Sequence, residues 1–272
     1  MNVIIREMFT PLRILYKIFT RKEYREYMRM LKIGGGERFH KRTIKLRNVN
    51  FEIADTASFF STYKELIYEE MYKFSTNNES PVIIDFGANI GLSVYYFHKN
   101  YPEAKIYAYE ADPGIFKYLQ SNVSKFGNTN IHLYNKAVFD KKTNLSFYSE
   151  GADGGHLEEN NIGDRNVSIE TMDALTILKG HKHIDMLKMD IEGAERIVLP
   201  RISTELYKVD KLFIEYHSEI NRPQCLANII NILSQNGFRV YIKSGFCADR
   251  PLDTIICDNN FDLQLDIFAR RD

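Results

Sequence analysis

Val82-Ile83-Ile84-Asp85-Phe86-Gly87-Ala88-Asn89-Ile90-Gly91-Leu92-Ser93 is the stretch that decides how this chain folds. A short apolar run meets a carboxylate, then a glycine turn, then the start of a helix. Such a turn offers bare backbone N–H groups to a ligand at a helix N-terminus. Further along, a second strand from Lys105 to Tyr109 ends in another acid, Glu110. Strand, glycine turn, helix, strand and acid is the order of a nucleoside-binding α/β unit.

The glycine spacing separates one nucleoside from another. In a dinucleotide turn, G-x-G-x-x-G, the first glycine would fall at Asp85 and the third at Ile90. An aspartate there repels a pyrophosphate. It suits a nucleoside that bears an ammonium and no phosphate, which is S-adenosylmethionine. Asp85, Gly87, Ala88, Asn89, Gly91 and Leu92 are therefore expected at the cofactor, with Asp85 acting on the ammonium. Gly87 is expected to leave room that any side chain would take from the ligand. Glu110 is expected to accept hydrogen bonds from both ribose hydroxyls, with Ala111 beside it. Asp112, just before Pro113, fits a helix cap.

Outward from this unit, strands and helices alternate. The pattern predicts strands at 82–85, 105–109, 131–134, 184–189, 210–216, 238–242 and 253–257. Helices are predicted at 58–74, 91–100, 113–126, 193–200 and 223–236, the last ended by Gly237. Residues 43–46 and 49–53 read as a strand pair. Residues 137–140 and 144–148 read as an antiparallel hairpin around Lys141-Lys142. Such alternation means a mostly parallel sheet with helices on both faces and ligands along the C-terminal strand edge. The loop after the third strand lies beside the base in this fold, so Lys136, Ala137 and Val138 are expected at the adenine.

Four strand ends carry polar side chains on that edge: Asp85; Glu110; Asp190 and Glu192; Glu215 and His217. His217 is the expected general base, since a neutral imidazole accepts a proton near neutral pH. Asp190 is expected to orient His217, to bind the acceptor or to touch the methionine end of the cofactor, and it also faces Lys188. Asp190, Glu192, Glu215 and His217 are hard ligands, so Mg²⁺ is an alternative to base chemistry. His181-x-His183, in a Lys-rich loop, reads as solvated. Residues 149–164 are glycine-rich and acidic. They read either as a mobile acceptor loop with His156 as a contact or as a solvated hairpin extension.

The formal net charge is 0, which argues against general nucleic-acid binding. Three spaced cysteines, Cys225, Cys247 and Cys257, indicate neither a zinc site nor a disulfide framework. No apolar run has the length of a membrane span, and no signal peptide is read at the start, so a cytoplasmic protein is expected. Residues 1–32 hold eight Lys or Arg against three acids, interleaved with apolar residues at helical spacing. They read as a basic amphipathic arm that touches anionic lipid at the inner membrane surface, or that packs on its own domain or another subunit. The expected organisation is an extension over 1–45 and a catalytic domain over 46–272.

Three segments together resemble the FkbM-type S-adenosylmethionine-dependent methyltransferases. They are Asp85-Phe-Gly-Ala-Asn-Ile-Gly91, Leu187-Lys-Met-Asp-Ile-Glu-Gly-Ala-Glu195 and Ile214-Glu-Tyr-His217. Thr171-Met-Asp-Ala-Leu175 is similar to the stretch before the family's second signature. The resemblance covers roughly residues 50–245. It implies a Rossmann-like class I methyltransferase fold, a seven-stranded mostly parallel sheet with its last strand antiparallel, here with an N-terminal helical and β extension. It also implies methyl transfer to a hydroxyl, often on a sugar or secondary metabolite. His217, Asp190 and Glu192 are the expected catalytic residues. A small-molecule or carbohydrate acceptor follows. An amine acceptor, or a non-catalytic cofactor-binding subunit, is the alternative.

Overall fold

A computed structural model describes residues 19–127, 130–148, 156–158, 166–258 and 260–271. Residues 1–18, and all of 149–164 except the backbone of 156–158, lie outside it. The readings made for the start of the arm and for His156 as an acceptor contact fall there.

The central sheet has seven strands. In chain order they are β3 (Val82–Phe86), β4 (Lys105–Glu110), β5 (Ile131–Asn135), β10 (Ile184–Met189), β11 (Val209–Glu219), β12 (Arg239–Cys247) and β13 (Phe261–Arg270). Their spatial order is β12-β13-β11-β10-β3-β4-β5. β3 pairs in parallel with β4 on one side and with β10 on the other. The chain therefore reverses direction across the sheet at β3, which opens a crevice at the C-terminal strand ends. β13 runs antiparallel to both β11 and β12.

Alternation along the strands divides the core. Ile84, Leu187, Ile214 and Ile267 face one side. There they meet α5 (Ala174–Lys179), α6 (Glu195–Ile202) and α7 (Leu226–Gln235). Ile83, Ile106, Met186 and Phe213 face the other. There α3 (Leu92–Asn100) and α4 (Pro113–Val123) cover them. Strands buried on both faces read as continuous apolar runs, and β10 is buried at all six positions. Asp112 caps α4 as expected, accepting from Gly114 N and Ile115 N.

Three expected elements differ. Residues 58–74 do not form one helix. An α-helix, α2 (Thr56–Tyr63), passes into a π-turn at Lys64–Tyr68 and then into irregular chain. The extra residue per turn re-aims the side chains, so Phe59 and Tyr63 pack in one cluster and Leu66 and Tyr72 in another. Residues 137–148 do not form a hairpin with themselves. β6 (Ala137–Phe139) and β7 (Asn144–Tyr148) both pair with β9 (Asn166–Asp173), β6 in parallel and β7 antiparallel. Thr171 on β9 holds the intervening turn, donating to Lys141 O and accepting from Thr143 N. β8 (His156–Glu158) pairs with β7. Residues 253–257 are not a strand, and Ile255 and Ile256 stand in solvent at 69% and 47% exposure. The last strand is β13.

The described part of the N-terminal extension packs on the catalytic core. α1 (Lys22–Gly34), the hairpin of β1 (Arg42–Leu46) and β2 (Val49–Ile53), and α2 share one cluster. Met30, Ile44, Leu46, Phe51 and Phe59 meet Ile90, Leu92 and Tyr95 of the catalytic core there. The boundary expected between residues 45 and 46 falls inside β1.

Candidate active site

The C-terminal ends of β3, β4, β10 and β11 open into a cleft of about 530 Å³. Its lining includes Gly87, Ala88, Asn89, Leu92, Glu110, Ala111, Ala137, Val138, Asp190, Glu192 and His217. One sheet edge thus gathers residues spread from Gly87 to His217. Two expected cofactor residues are not on its wall, Asp85 and Gly91. Gly91 has φ +93° and lies under α4, where an added Cβ would come within 2.8 Å of Leu119 Cδ1.

Asp85 is wholly buried beneath the glycine turn. Its Oδ2 accepts from Ser93 Oγ at 2.5 Å, and its Oδ1 lies 3.3 Å from Lys188 Nζ. Asp85 braces the turn from below and does not face a ligand ammonium. Gly87 also answers to a different neighbour from the one expected. Its φ is +85°, and an added Cβ would sit 1.8 Å from the Asp190 carbonyl oxygen. What its missing side chain admits is the loop after β10, not the ligand. The two loops are further tied by Asp190 N donating to Phe86 O and by Lys188 Nζ donating to Gly87 O at 2.6 Å.

Glu110 sits at the end of β4 as expected. Its Oε2 accepts from Asn89 N and its Oε1 from Asp112 N, each at 2.8 Å. Asn89 holds φ +48°, which aims that amide at the acid. Burial raises the Glu110 pKa to about 7, against the pull of the Asp112 and Asn89 amides. Each carboxylate oxygen keeps acceptor capacity toward the cleft, which matches a pair of ribose hydroxyls. Lys136, Ala137 and Val138 line the same end. A cleft of this size with an acid between two loop amides fits S-adenosylmethionine.

The other end is carboxylate-rich. β11 runs five residues past its last pairing with β10 at Ile214, so Glu215 and His217 lie inside β11 and not at its end. Burial works against the charge of Lys188, yet Asp190 and Asp85 keep its pKa above the usual lysine value. Lys188 Nζ lies 3.1 Å from Asp190 Oδ2. Burial likewise opposes the Asp190 charge, but Lys188 and His217 hold its pKa below the usual aspartate value. Burial and Asp190 push the Glu215 carboxyl well up, and Glu215 Oε1 accepts from Gln264 Nε2. Glu65 lines the cleft with a pKa raised to about 7 by burial and by Asp266 and Asp190.

His217 is held between two acids. Nε2 lies 3.4 Å from Glu192 Oε2, and Nδ1 lies 3.4 Å from Glu195 Oε1. Burial disfavours its charge, but Glu192 and Glu195 raise its pKa well above the usual value. His217 is therefore an imidazolium at neutral pH and has no free nitrogen for a proton. Its side chain is 3% exposed, whereas those of Asp190 and Glu192 are 24% and 21% exposed. The expected base role of His217 conflicts with this geometry, and so does its expected orientation by Asp190. Glu195 does that work. Wholly buried, it accepts from Ile191 N and Gly193 N and pairs with His217. Glu195 closes the quoted Leu187–Glu195 segment, but nothing in the sequence told it apart from a solvated helix acid. Asp266 and Gln264 were missed because β13 was missed.

Asp190, Glu192 and His217 have ligand atoms within 4.8 Å of one another. They do not suit Mg²⁺, because Lys188 already sits against Asp190 and both ring nitrogens of His217 face a carboxylate. His183, Asp185 and Asp210 form a second such set, lined up with the opposite strand ends and away from the cleft. There Asp185 accepts from Thr76, Asn78 and Val82 N, while His181 packs edge-on against Tyr107.

Known proteins resemble this chain in sequence and in fold. The profile described as "Methyltransferase FkbM domain" matches residues 85–240. Methyltransferase sdnD of Sordaria araneosa is 27% identical over 181 residues, 54% of this chain and 70% of its own length. The 2-O-methyltransferase NoeI of Sinorhizobium fredii is 25% identical over 158 residues, 51% of this chain and 64% of its own. The solved structure of a methyltransferase FkbM from Methylobacillus flagellatus KT superposes with a TM-score of 0.50 at 18% identity. That match covers 75% of this chain but only 47% of the other, so it speaks for the fold alone. With the family profile spanning more than half of its 272 residues, this chain belongs to the FkbM-type S-adenosylmethionine-dependent methyltransferases.

Proposed function

We propose that this protein methylates a hydroxyl of a sugar or of another small polyhydroxylated metabolite. The observation that carries this reading is the pair of partly exposed carboxylates, Asp190 and Glu192, at the acceptor end of the cleft. Carboxylates accept hydrogen bonds and so match hydroxyl donors. Both cations among the lining residues there, Lys188 and His217, are already paired, which disfavours a phosphorylated acceptor at the reacting atom. The likeness to a 2-O-methyltransferase points the same way.

S-adenosylmethionine supplies an electrophilic sulfonium methyl when bound. The chain has two tasks, alignment and removal of one proton. Glu110 and the Gly87–Asn89 turn hold the nucleoside. Asp190, kept ionised by Lys188, and Glu192 would orient the acceptor hydroxyl, and one of the two carboxylates would take its single proton as the oxygen gains the methyl and the methyl–sulfur bond breaks to leave a neutral thioether. A carboxylate is a sufficient acceptor, because an oxygen that gains a methyl becomes strongly acidic. His217, as imidazolium, fixes Glu192 in place.

Transfer from methyl-labelled S-adenosylmethionine to a panel of neutral sugars and small amines tests this reading. Label should appear on sugar oxygen. Glu192→Gln and Asp190→Asn should each lower turnover by roughly 10²–10⁴. At saturating S-adenosylmethionine, the rate should not rise through a group with a pKa near that of a free histidine. Transfer to amines alone would replace the hydroxyl reading, and a rise with pH that His217→Gln abolishes would return the base role to His217.

A further inference from the structure

We propose that the N-terminal unit is a docking face for an anionic membrane surface. The neutral total hides a strong segregation of charge. Residues 1–47 carry 13 Lys or Arg and 4 Asp or Glu, whereas the other 225 residues carry 23 and 32. A net +9 at one end of the chain thus stands against a net −9 in the rest.

Within the described residues this charge is arranged on a surface. Lys22, Arg25, Arg29 and Lys32 on α1 recur at i, i+3, i+7 and i+10, which is one stripe of a helix. All four are exposed. Met30 and Tyr27 leave the helix on another side and anchor it to the catalytic domain. Arg29 donates to Lys45 O at 2.6 Å, so α1 and β1 lie side by side. Exposed Lys45 and Arg47 extend the basic face. Glu26 is taken up by Arg29 and Arg47, at 3.6 Å and 3.8 Å.

Apolar side chains stand exposed in the same unit. Phe19 is 78% exposed, Phe39 52% and Leu31 41%. The Arg38 guanidinium covers the Phe39 ring at 4.8 Å. A dissolved polyanion asks only for positive charge. A bilayer interface takes both kinds of group together: cations meet the lipid phosphates, and aromatic and aliphatic side chains enter the headgroup boundary. The presence of exposed Phe19 and Phe39 in the same unit as a basic stripe selects the bilayer. α1 packs on α2 through Tyr27 and Phe60, 5.7 Å apart, and α2 supplies Ser58 and Thr62 to the cleft wall. Docking therefore holds the cleft next to the lipid surface.

Flotation of the full chain with phosphatidylcholine vesicles, with and without phosphatidylglycerol, tests the proposal. The protein should float with the anionic vesicles at low salt, stay behind with the neutral ones, and be released by high salt. Lys22→Glu/Lys32→Glu should weaken partitioning by roughly tenfold or more while the melting temperature and cofactor binding stay unchanged. Phe19→Ser/Phe39→Ser should also weaken it and leave the salt response in place. Failure to float with anionic vesicles, unaltered flotation of the Lys variant, or binding to nucleic acid that anionic vesicles cannot displace would each overturn it. None of these outcomes bears on methyl transfer, so the two readings fail separately.

Discussion

At the scale of single residues, Glu110 combines two opposed demands. It must be ionised to accept from a ribose, yet burial raises its pKa to about 7. Hydrogen bonds from the two hydroxyls favour the ionised form, so cofactor binding should expel a proton below that pH. Affinity for S-adenosylhomocysteine is expected to rise between about pH 6 and pH 8 and then level off. Calorimetry in buffers of different ionisation enthalpy would detect the released proton, and a pH-independent affinity would show Glu110 to be uninvolved. The stability of the free protein carries the opposite sign. A carboxyl whose folded pKa lies above its unfolded value stabilises fully below the unfolded pKa, near 4.5, and that contribution is lost as pH rises to about 7. Glu65 adds to the same window. His217 shows where residue type alone misleads. Histidine at a strand end reads as a base by intrinsic pKa, but two flanking acids, Glu192 and Glu195, favour its charged form and hold both ring nitrogens.

At the scale of elements, the site is a junction of two loops. The β3–α3 turn and the loop after β10 touch so closely that Gly87 has no space for a methyl group. Gly87→Ala must part the loops or abandon the +85° φ. The expected cost is about 3 kcal/mol or more, a fall in melting temperature on the order of 10 °C, together with loss of cofactor affinity. A variant that melts like the parent would show that the two loops are not in contact. β6, β7 and β9 teach a related lesson. Residues 137–148 carry two short apolar runs around Lys141-Lys142, which is a sound local hairpin signal. Pairing nevertheless went to β9, because a non-local strand satisfied both runs and Thr171 closed the turn between them.

At the scale of the whole molecule, the extension is part of the cleft wall. Arg38 lines it beside Asp55, Ser58, Thr62 and Glu65, and α1 backs the π-turn that follows α2 through a stack of Tyr27 on Tyr68 at 4.3 Å. Removing residues 1–32 takes away Met30, which is wholly buried. Loss of one such side chain costs about 2–5 kcal/mol, and the loss of Tyr27 adds to it. The truncated chain should melt well below the parent and bind S-adenosylhomocysteine at least about tenfold more weakly. An unchanged melting curve and affinity would make the extension a separate attachment, as its basic composition alone implies.

By itself, the sequence determined the parallel sheet, its glycine turn, and the sheet edge at which Glu110, Asp190, Glu192 and Glu215 meet in one cleft. Those features depend on local physics: apolar runs make buried strands, glycine permits a left-handed turn, and parallel crossovers send every strand end to one edge. Glu110, Ala137, Val138, Asp190 and Glu192 were legible for that reason. The three-dimensional packing alone decided the rest. Asp85 faces Lys188 because a carboxylate buried in the core has to find a cation. His217 is charged because Glu195 approaches it from another element. β13 takes the place that 253–257 was expected to hold because a strand needs a partner edge, and which edge is free depends on how the whole chain is arranged. Protonation state, strand partnership and the reason for a glycine are properties of neighbours, and neighbours far apart in sequence meet only in the folded chain.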